Sequence, residues 1–280
     1  MTLGPYLDWP LEISIETFAK CNASCTFCPY TTLDRIGTKM PDAMIDRIIE
    51  ELKGHPGPFV INPFKVNEPF LDKRLIPICR KINAELPQAE LQIFTNGSAL
   101  TEKHMQDVAG LVRVKRLWVS LNASDAQEYR DLMGLDFART CANLDRLHAM
   151  KTAGEFPHQV MVSKVCAPLR EMDKDNDFLD FVEDRWPLFT TFLIKRDAWL
   201  GQIEKHELGV PDTPCARWLE LSITATGKVS LCCMDSEARF PIGDLNTQSI
   251  SEVYNAPHWR QRRERALSRK AVRPCATCSY

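Results

Sequence analysis

The chain has 280 residues, a formal net charge of −2, 44% hydrophobic residues and 26% charged residues. This length suits one large α/β unit or a medium domain with an appendage, and the charge argues against a general polyanion-binding surface, so nucleic acid is an unlikely partner. No run of about 18 apolar residues occurs, and the opening "MTLGPYLDWP" has neither the basic start nor the apolar core of a signal peptide, so a cytoplasmic location without membrane attachment is expected.

In chain order, "LEISIET" alternates Leu11, Ile13 and Ile15 with polar neighbours, as a strand does. A helix follows over Met44, Ile45, Ile48, Ile49 and Leu52, with Asp42 expected to cap it and Gly54 to end it. The cycle then repeats: strand "PFVIN", helix from Leu75 to Leu86, strand "LQIFT", helix "TEKHMQDVAGL", strand "RLWVSL". It continues with a helix from Cys141 to Leu147, strand "QVMVSKV", helix "NDFLDFVEDRW" and strand "FTTFLI". Roughly six strand-helix repeats read as a parallel sheet with right-handed crossovers. A closed eight-unit barrel needs about 250 residues, so an incomplete barrel fits this length better.

After about residue 205 the texture changes. "GVPDTPC" is turn-rich, "WLELSITATGKVSLCC" reads as two strands around a turn at Thr226-Gly227, and "SISEVYNAPHWRQRRERAL" reads as helical. The expected division is therefore 1–205 and 206–280, the second part being a small cysteine-rich β-hairpin plus helix that needs a metal centre because its own core is thin.

The 11 cysteines of a cytoplasmic chain are expected as thiolate ligands, buried apolar side chains or catalytic groups rather than disulfides. Cys21, Cys25 and Cys28 follow the first strand directly, so they sit on a loop at its C-terminal end, where parallel α/β folds place their chemistry. Three ligands leave an open coordination position, and thiolate-only ligation suits an iron-sulfur cluster or zinc.

C-x3-C-x2-C at this place, with Phe27 just before the last cysteine, resembles the signature of the radical S-adenosylmethionine (radical SAM) superfamily. The resemblance implies a partial (β/α)6 barrel and a 4Fe-4S cluster whose open iron is chelated by SAM. It also implies reductive cleavage of SAM to a 5′-deoxyadenosyl radical that abstracts a substrate hydrogen, with an external one-electron reductant such as flavodoxin or ferredoxin. "KVNEPF" matches the family's GGEP-like motif and places Glu68 on the SAM amino group, although Asn67 stands where the family has glycine. "IFTNG" resembles the TNG segment and puts Asn96 near the cofactor. "WVSLNASDAQEYR" resembles the ribose and carboxylate motif, with Ser120, Asn122 and Arg130 as candidates; a guanidinium grips a carboxylate bidentately.

Four further thiols, Cys215, Cys232, Cys275 and Cys278, flank the hairpin and the tail. Their types alone allow zinc or a cluster. Behind such a barrel, C-x11-G-x4-C then C-x2-C is similar to the SPASM/Twitch appendage, and the ending two residues after Cys278 resembles the shorter form with one auxiliary 4Fe-4S cluster. Cys79, Cys141 and Cys166 read as buried hydrophobes. Cys233 reads as packing, with ligation or hydrogen donation as alternatives. Asp235 in "CCMD" is the expected catalytic base, and the basic "HWRQRRERALSRKAVR" reads as a solvated helix face.

The resemblance implies an oxidoreductase. The nearest layout is that of the Twitch group, in which a dehydrogenase oxidises a secondary alcohol of an aminocyclitol. The expected reaction is oxidation of a small hydroxylated, sugar- or cyclitol-like substrate, with the auxiliary cluster accepting the last electron. The alternative is epimerisation or crosslinking of a ribosomally made peptide, disfavoured because only 20 residues precede Cys21. A non-enzymatic zinc scaffold or redox sensor is the third reading.

Overall fold

The computed structural model describes residues 4–166, 172–203 and 209–278. Six parallel strands run β1 (Glu12–Ile15), β2 (Phe59–Asn62), β3 (Ala89–Thr95), β4 (Val114–Ser120), β5 (Val160–Val165) and β6 (Thr190–Ile194). They neighbour one another in chain order, as right-handed crossovers dictate. The crossovers carry α1 (Asp42–Leu52), α2 (Leu75–Glu85), α3 (Glu102–Ala109), the pair α4 (Ala126–Met133) and α5 (Phe137–Thr152), and α6 (Asp173–Arg185). The α/β partial barrel read from the sequence is thus present.

Two local readings differ. Pro41, not Asp42, occupies the cap position of α1, and Asp42 is its first helical residue, where a carboxylate still favours the helix dipole. The short α4 was hidden in the segment read as a strand-end motif. Its Asp125 cap accepts from the Gln127 and Glu128 amides, and left-handed Gly134 ends it.

One apolar core lies between sheet and helices: Ile13, Ile61, Leu91, Ile93, Leu117, Val119, Val160 and Val162 from the strands meet Ile45, Ile48, Ile82, Met105 and Leu144 from the helices. The opposite faces of the strands line the barrel interior and mix polar side chains with an aromatic row, Phe94, Trp118 and Phe192, whose ring centroids lie 4.7 and 4.6 Å apart. Asn62 Nδ2 donates to Glu12 Oε1 at 2.5 Å, and Gln92 Nε2 donates to Asn62 Oδ1 at 3.2 Å.

The C-terminal part extends the same sheet. β7 (Glu220–Ile223) pairs in parallel with β1, then β8 (Lys228–Ser230) and β9 (Pro241–Asp244) add antiparallel strands, giving the order β6-β5-β4-β3-β2-β1-β7-β8-β9. Gly227, at φ +84°, makes the turn expected between β7 and β8. β9 lies in a stretch read without a strand. The helical stretch breaks into α7 (Ile250–Tyr254) and α8 (Pro257–Glu264), because Pro257 can open a helix but not continue one. Leu221, Ile223, Val229 and Val253 belong to the barrel's core, whereas Trp218, Leu231, Val272 and Cys275 form a small separate one. The expected boundary at 205/206 lies outside the described residues.

The basic stretch is not a solvated face. Arg263 is buried, donates to the Leu7 and Tyr254 carbonyls and stacks on Tyr254, while Arg269 donates to the Thr213 and Pro214 carbonyls. These arginines tie the chain start and the segment before Cys215 to the C-terminal part. A second tie is ionic: buried Glu16, at the end of β1, accepts from Arg35 at 2.6 and 2.8 Å and from the Ala225 amide at 3.0 Å. Among the described residues, no helix is long and apolar enough to cross a membrane.

Candidate active site

Cys21, Cys25 and Cys28 lie on the loop after β1, which is pinned from three sides. The Glu68 amide donates to the Lys20 carbonyl at 2.8 Å. Asn96 Nδ2 donates to Asn22 Oδ1 at 2.8 Å, and Asn22 Nδ2 donates to Ser98 Oγ at 2.7 Å. From the far side, the Ser24 and Thr26 amides donate to the Met133 and Leu132 carbonyls at 3.0 and 2.9 Å, so α4's free C-terminal carbonyls are used to hold the loop.

Gly134 makes that last approach possible. Its φ is +67°, and a Cβ there would stand 2.3 Å from Ser24 Oγ. Gly134→Ala is expected to displace the Ser24 hydroxyl and strain the left-handed end of α4 that holds the cysteine loop, lowering iron retained after anaerobic reconstitution at the first site while leaving the C-terminal site loaded. Cluster-specific spectroscopy on the purified variant checks this, and full loading of both sites would contradict it.

Burial pushes the Cys21 and Cys28 thiols up to about 12 and about 11 and raises Cys25 well above its ordinary value, the two neighbouring thiolates also adding to the cost of ionising Cys25. Three half-buried thiols that feel one another's charge are a site in need of a metal, since coordination removes the thiol proton.

The expected cofactor residues form two groups on this loop. Glu68 is buried. Its carboxylate accepts from the Asn96 amide at 2.7 Å, Thr95 Oγ1 at 2.9 Å and the Phe70 amide at 3.2 Å, and burial raises its pKa to about 7 against those bonds. Asn96 Nδ2 also approaches Cys21 Sγ at 4.0 Å. In the second group, Asn122 Nδ2 donates to Ser120 Oγ at 2.8 Å and reaches Met133 Sδ at 3.3 Å; Met133 Sδ is 3.3 Å from Cys25 Sγ. Asn122 Oδ1 accepts from the Val165 amide at 2.8 Å, and its left-handed φ of +69° puts the side chain to work inside the fold. Phe27 packs against the main core, and its carbonyl accepts from Trp199 Nε1 at 2.8 Å. Arg130 stands on the exposed side of α4, without a side-chain hydrogen bond or ion pair to a described residue.

Cys215, Cys232, Cys275 and Cys278 line one small cleft together with Leu200, Trp218 and Met234. Burial raises Cys215, Cys232 and Cys275. An all-thiolate set around an apolar cleft fits an iron-sulfur cluster. Among the described residues, no three His, Cys, Asp or Glu side chains converge on a point as they would around a single ion.

Cys233 does not line that cleft. Burial pushes it up to about 12, and its charged neighbours are Arg217, Glu220, Lys65 and Glu12. Asp235 departs from the expected role of base. It is fully buried, and its carboxylate accepts from the Arg239, Phe240 and Leu231 amides at 2.8, 3.0 and 3.3 Å. Its carbonyl accepts from buried Lys65 Nζ at 2.9 Å. A carboxylate consumed by its own loop's amides shapes the loop after Cys232.

Sequence reading missed Asp197, just past β6. It lines a pocket between the Trp199 segment and Cys278, and burial raises it to about 6 despite nearby Arg217 and Lys195. No motif marks it; a lone aspartate after a sixth strand was the only signal.

The radical SAM superfamily profile matches residues 15–164, and the SPASM iron-sulfur cluster-binding domain matches residues 215–279. A curated relative, the S-adenosyl-L-methionine-dependent 2-deoxy-scyllo-inosamine dehydrogenase of Niallia circulans, is 29% identical over 119 residues. That match covers 42% of this chain and 47% of the relative, so the chain matches about half of the relative's length. Among solved structures, BtrN in complex with AdoMet and 2-DOIA superposes with a TM-score of 0.65 at 17% identity, over 96% of this chain and 93% of that one. Streptococcus suis SuiB bound to the precursor peptide SuiA gives 0.71 at 14% identity, over 99% and 72%. The fold is therefore shared by proteins whose names point to a small cyclitol and to a peptide. With a family match over more than half its length, three thiols on the loop after β1 and four around a second cleft, the chain belongs to the radical SAM superfamily and carries a SPASM-type cluster-binding domain.

Proposed function

We propose that this protein oxidises a secondary alcohol of a small, polyhydroxylated amine such as an aminocyclitol. The observation that carries the reading is the placement of the pocket lined by Asp197, Trp199, Met234 and Cys278. One wall is tied through Trp199 to the Phe27 carbonyl in the first cysteine loop, and the other reaches the second cysteine set. Its lining mixes apolar side chains with one carboxylate, as small-molecule sites do.

Cys21, Cys25 and Cys28 would hold the SAM-binding cluster, and Cys215, Cys232, Cys275 and Cys278 an auxiliary one. When bound, these groups supply a 5′-deoxyadenosyl radical at one end and a one-electron acceptor at the other. Glu68 and Asn96 order the loop at Cys21 and offer polar contacts to SAM there, Ser120 and Asn122 do so beside Cys25, and Arg130 offers a cation for its carboxylate. The external electron comes from a flavodoxin- or ferredoxin-type donor. Oxidation also needs the hydroxyl proton removed, and the pocket provides a carboxylate.

The curated relative's name makes 2-deoxy-scyllo-inosamine the first probe. The reconstituted protein, given SAM, a reductant and a panel of aminocyclitols and amino sugars, is expected to form a ketone and 5′-deoxyadenosine in about equal amounts. 5′-Deoxyadenosine formation that responds only to peptides would replace this reading with peptide modification.

A further inference from the structure

We infer that Asp197 is the catalytic base that takes the substrate's hydroxyl proton, an assignment that rests on the oxidation proposed above. It lies three residues past the end of β6, at the C-terminal edge of the barrel where this fold places its chemistry. It is half-buried, lines the pocket between the Trp199 segment and Cys278, and accepts no hydrogen bond from a described residue. The other carboxylates near the two cysteine sets are committed. Asp235 holds three amides, Glu68 holds two amides and a hydroxyl, Glu16 holds Arg35, and Glu220 holds Arg217 at 2.8 and 2.9 Å.

The segment carrying Asp197 is built at a conformational cost. Trp199, Leu200 and Gly201 have φ of +47°, +53° and +89°, a run of left-handed backbone that costs about 1–3 kcal/mol at each non-glycine residue. It is kept in place from outside. Trp199 Nε1 donates to the Phe27 carbonyl at 2.8 Å, Arg239 Nη2 to the Leu200 carbonyl at 3.1 Å, and Ser236 Oγ to Gln202 Oε1 at 2.9 Å. The three ties come from the cysteine loop and from the loop shaped by Asp235. Both therefore determine where Asp197 stands.

Its charged neighbours are Lys195 on its own segment and Arg217 ahead of β7. Two cations near the carboxylate leave little call for a third, which favours proton acceptance over anchoring the substrate's ammonium group. The oxidation then balances: the C–H hydrogen atom goes to the 5′-deoxyadenosyl radical, the O–H proton to the Asp197 carboxylate, and one electron to the iron-sulfur acceptor. What remains is C=O. The carboxylate is in its accepting form above about pH 6, so the oxidation rate should rise with pH through that range.

The test compares Asp197→Asn with wild type on C–H-deuterated 2-deoxy-scyllo-inosamine. Deuterium transfer to 5′-deoxyadenosine should persist while ketone falls at least about 100-fold. An organic radical should accumulate in EPR spectra, the rise with pH near 6 should vanish, and calorimetric affinity for the probe should stay within about threefold. Ketone formation at the wild-type rate, or a tenfold loss of affinity with oxidation otherwise intact, would overturn the assignment. If wild type itself leaves the aminocyclitol panel unoxidised, the substrate reading fails and the role with it. If only the variant behaves as wild type, the role alone fails.

Discussion

Cys275→Ala combined with Cys278→Ala should uncouple the reaction: SAM is still cleaved to 5′-deoxyadenosine, but oxidised product disappears. The first cysteine loop is pinned by Glu68, Asn96, Ser98 and the end of α4, none of which belongs to the C-terminal part. Cys275 sits instead in the small core with Trp218, Leu231 and Val272, around the second cleft. Removing two of four thiolates there should empty that site and leave the first loop intact. Product can then form only if the last electron finds another way out. Measuring 5′-deoxyadenosine and ketone in the same reaction checks this, and normal ketone yield from the double variant would refute the electron-accepting role.

Cys25→Ala should act one step earlier and abolish both products. Cys25 is the middle thiol of the proposed first set, its sulfur faces Met133, and it feels the charge of Cys21 and Cys28. With two ligands a cluster has neither full protein ligation nor a defined open iron, so SAM has nowhere to be cleaved. The expected result is loss of 5′-deoxyadenosine to background, with iron still present at the C-terminal site. Retained SAM cleavage would mean that a different group completes the first site.

The barrel was legible because its signals are local. Apolar period-two strands alternate with period-3.6 helices, and the cysteine loop follows the first strand without an intervening element. The polar half of that alternation was read only as strand texture. In "LEISIET" the residues Glu12, Ser14 and Glu16 face the interior of a partial barrel, so they line the enclosed side and Glu12 and Glu16 make buried or half-buried contacts. Joining of the C-terminal hairpin to the barrel sheet was not legible either, since β1–β7 pairing links residues some 200 positions apart and leaves no periodic trace.

The seven candidate ligand cysteines stood out because thiols at motif spacing are rare, whereas single carboxylates are common. Asp235 was singled out for its place beside Cys232, yet the amides of Leu231, Arg239 and Phe240 claim it. Asp197 carried no motif and became visible only once strand order, the Trp199 tie and the pocket were known. Arg263 on α8 and Arg269 beyond it likewise changed meaning, from members of a solvated charge run to clamps on the Leu7 and Thr213 carbonyls.

The most direct test of two cysteine sets with separate tasks is the metal content of three proteins reconstituted anaerobically side by side: wild type, Cys25→Ala, and the Cys275→Ala Cys278→Ala double variant. Two 4Fe-4S clusters predict about eight irons in wild type and about four in each variant, with SAM perturbing the cluster spectrum only where Cys25 is intact. Stoichiometric zinc in place of iron, or loss of all iron from both variants, would contradict the account.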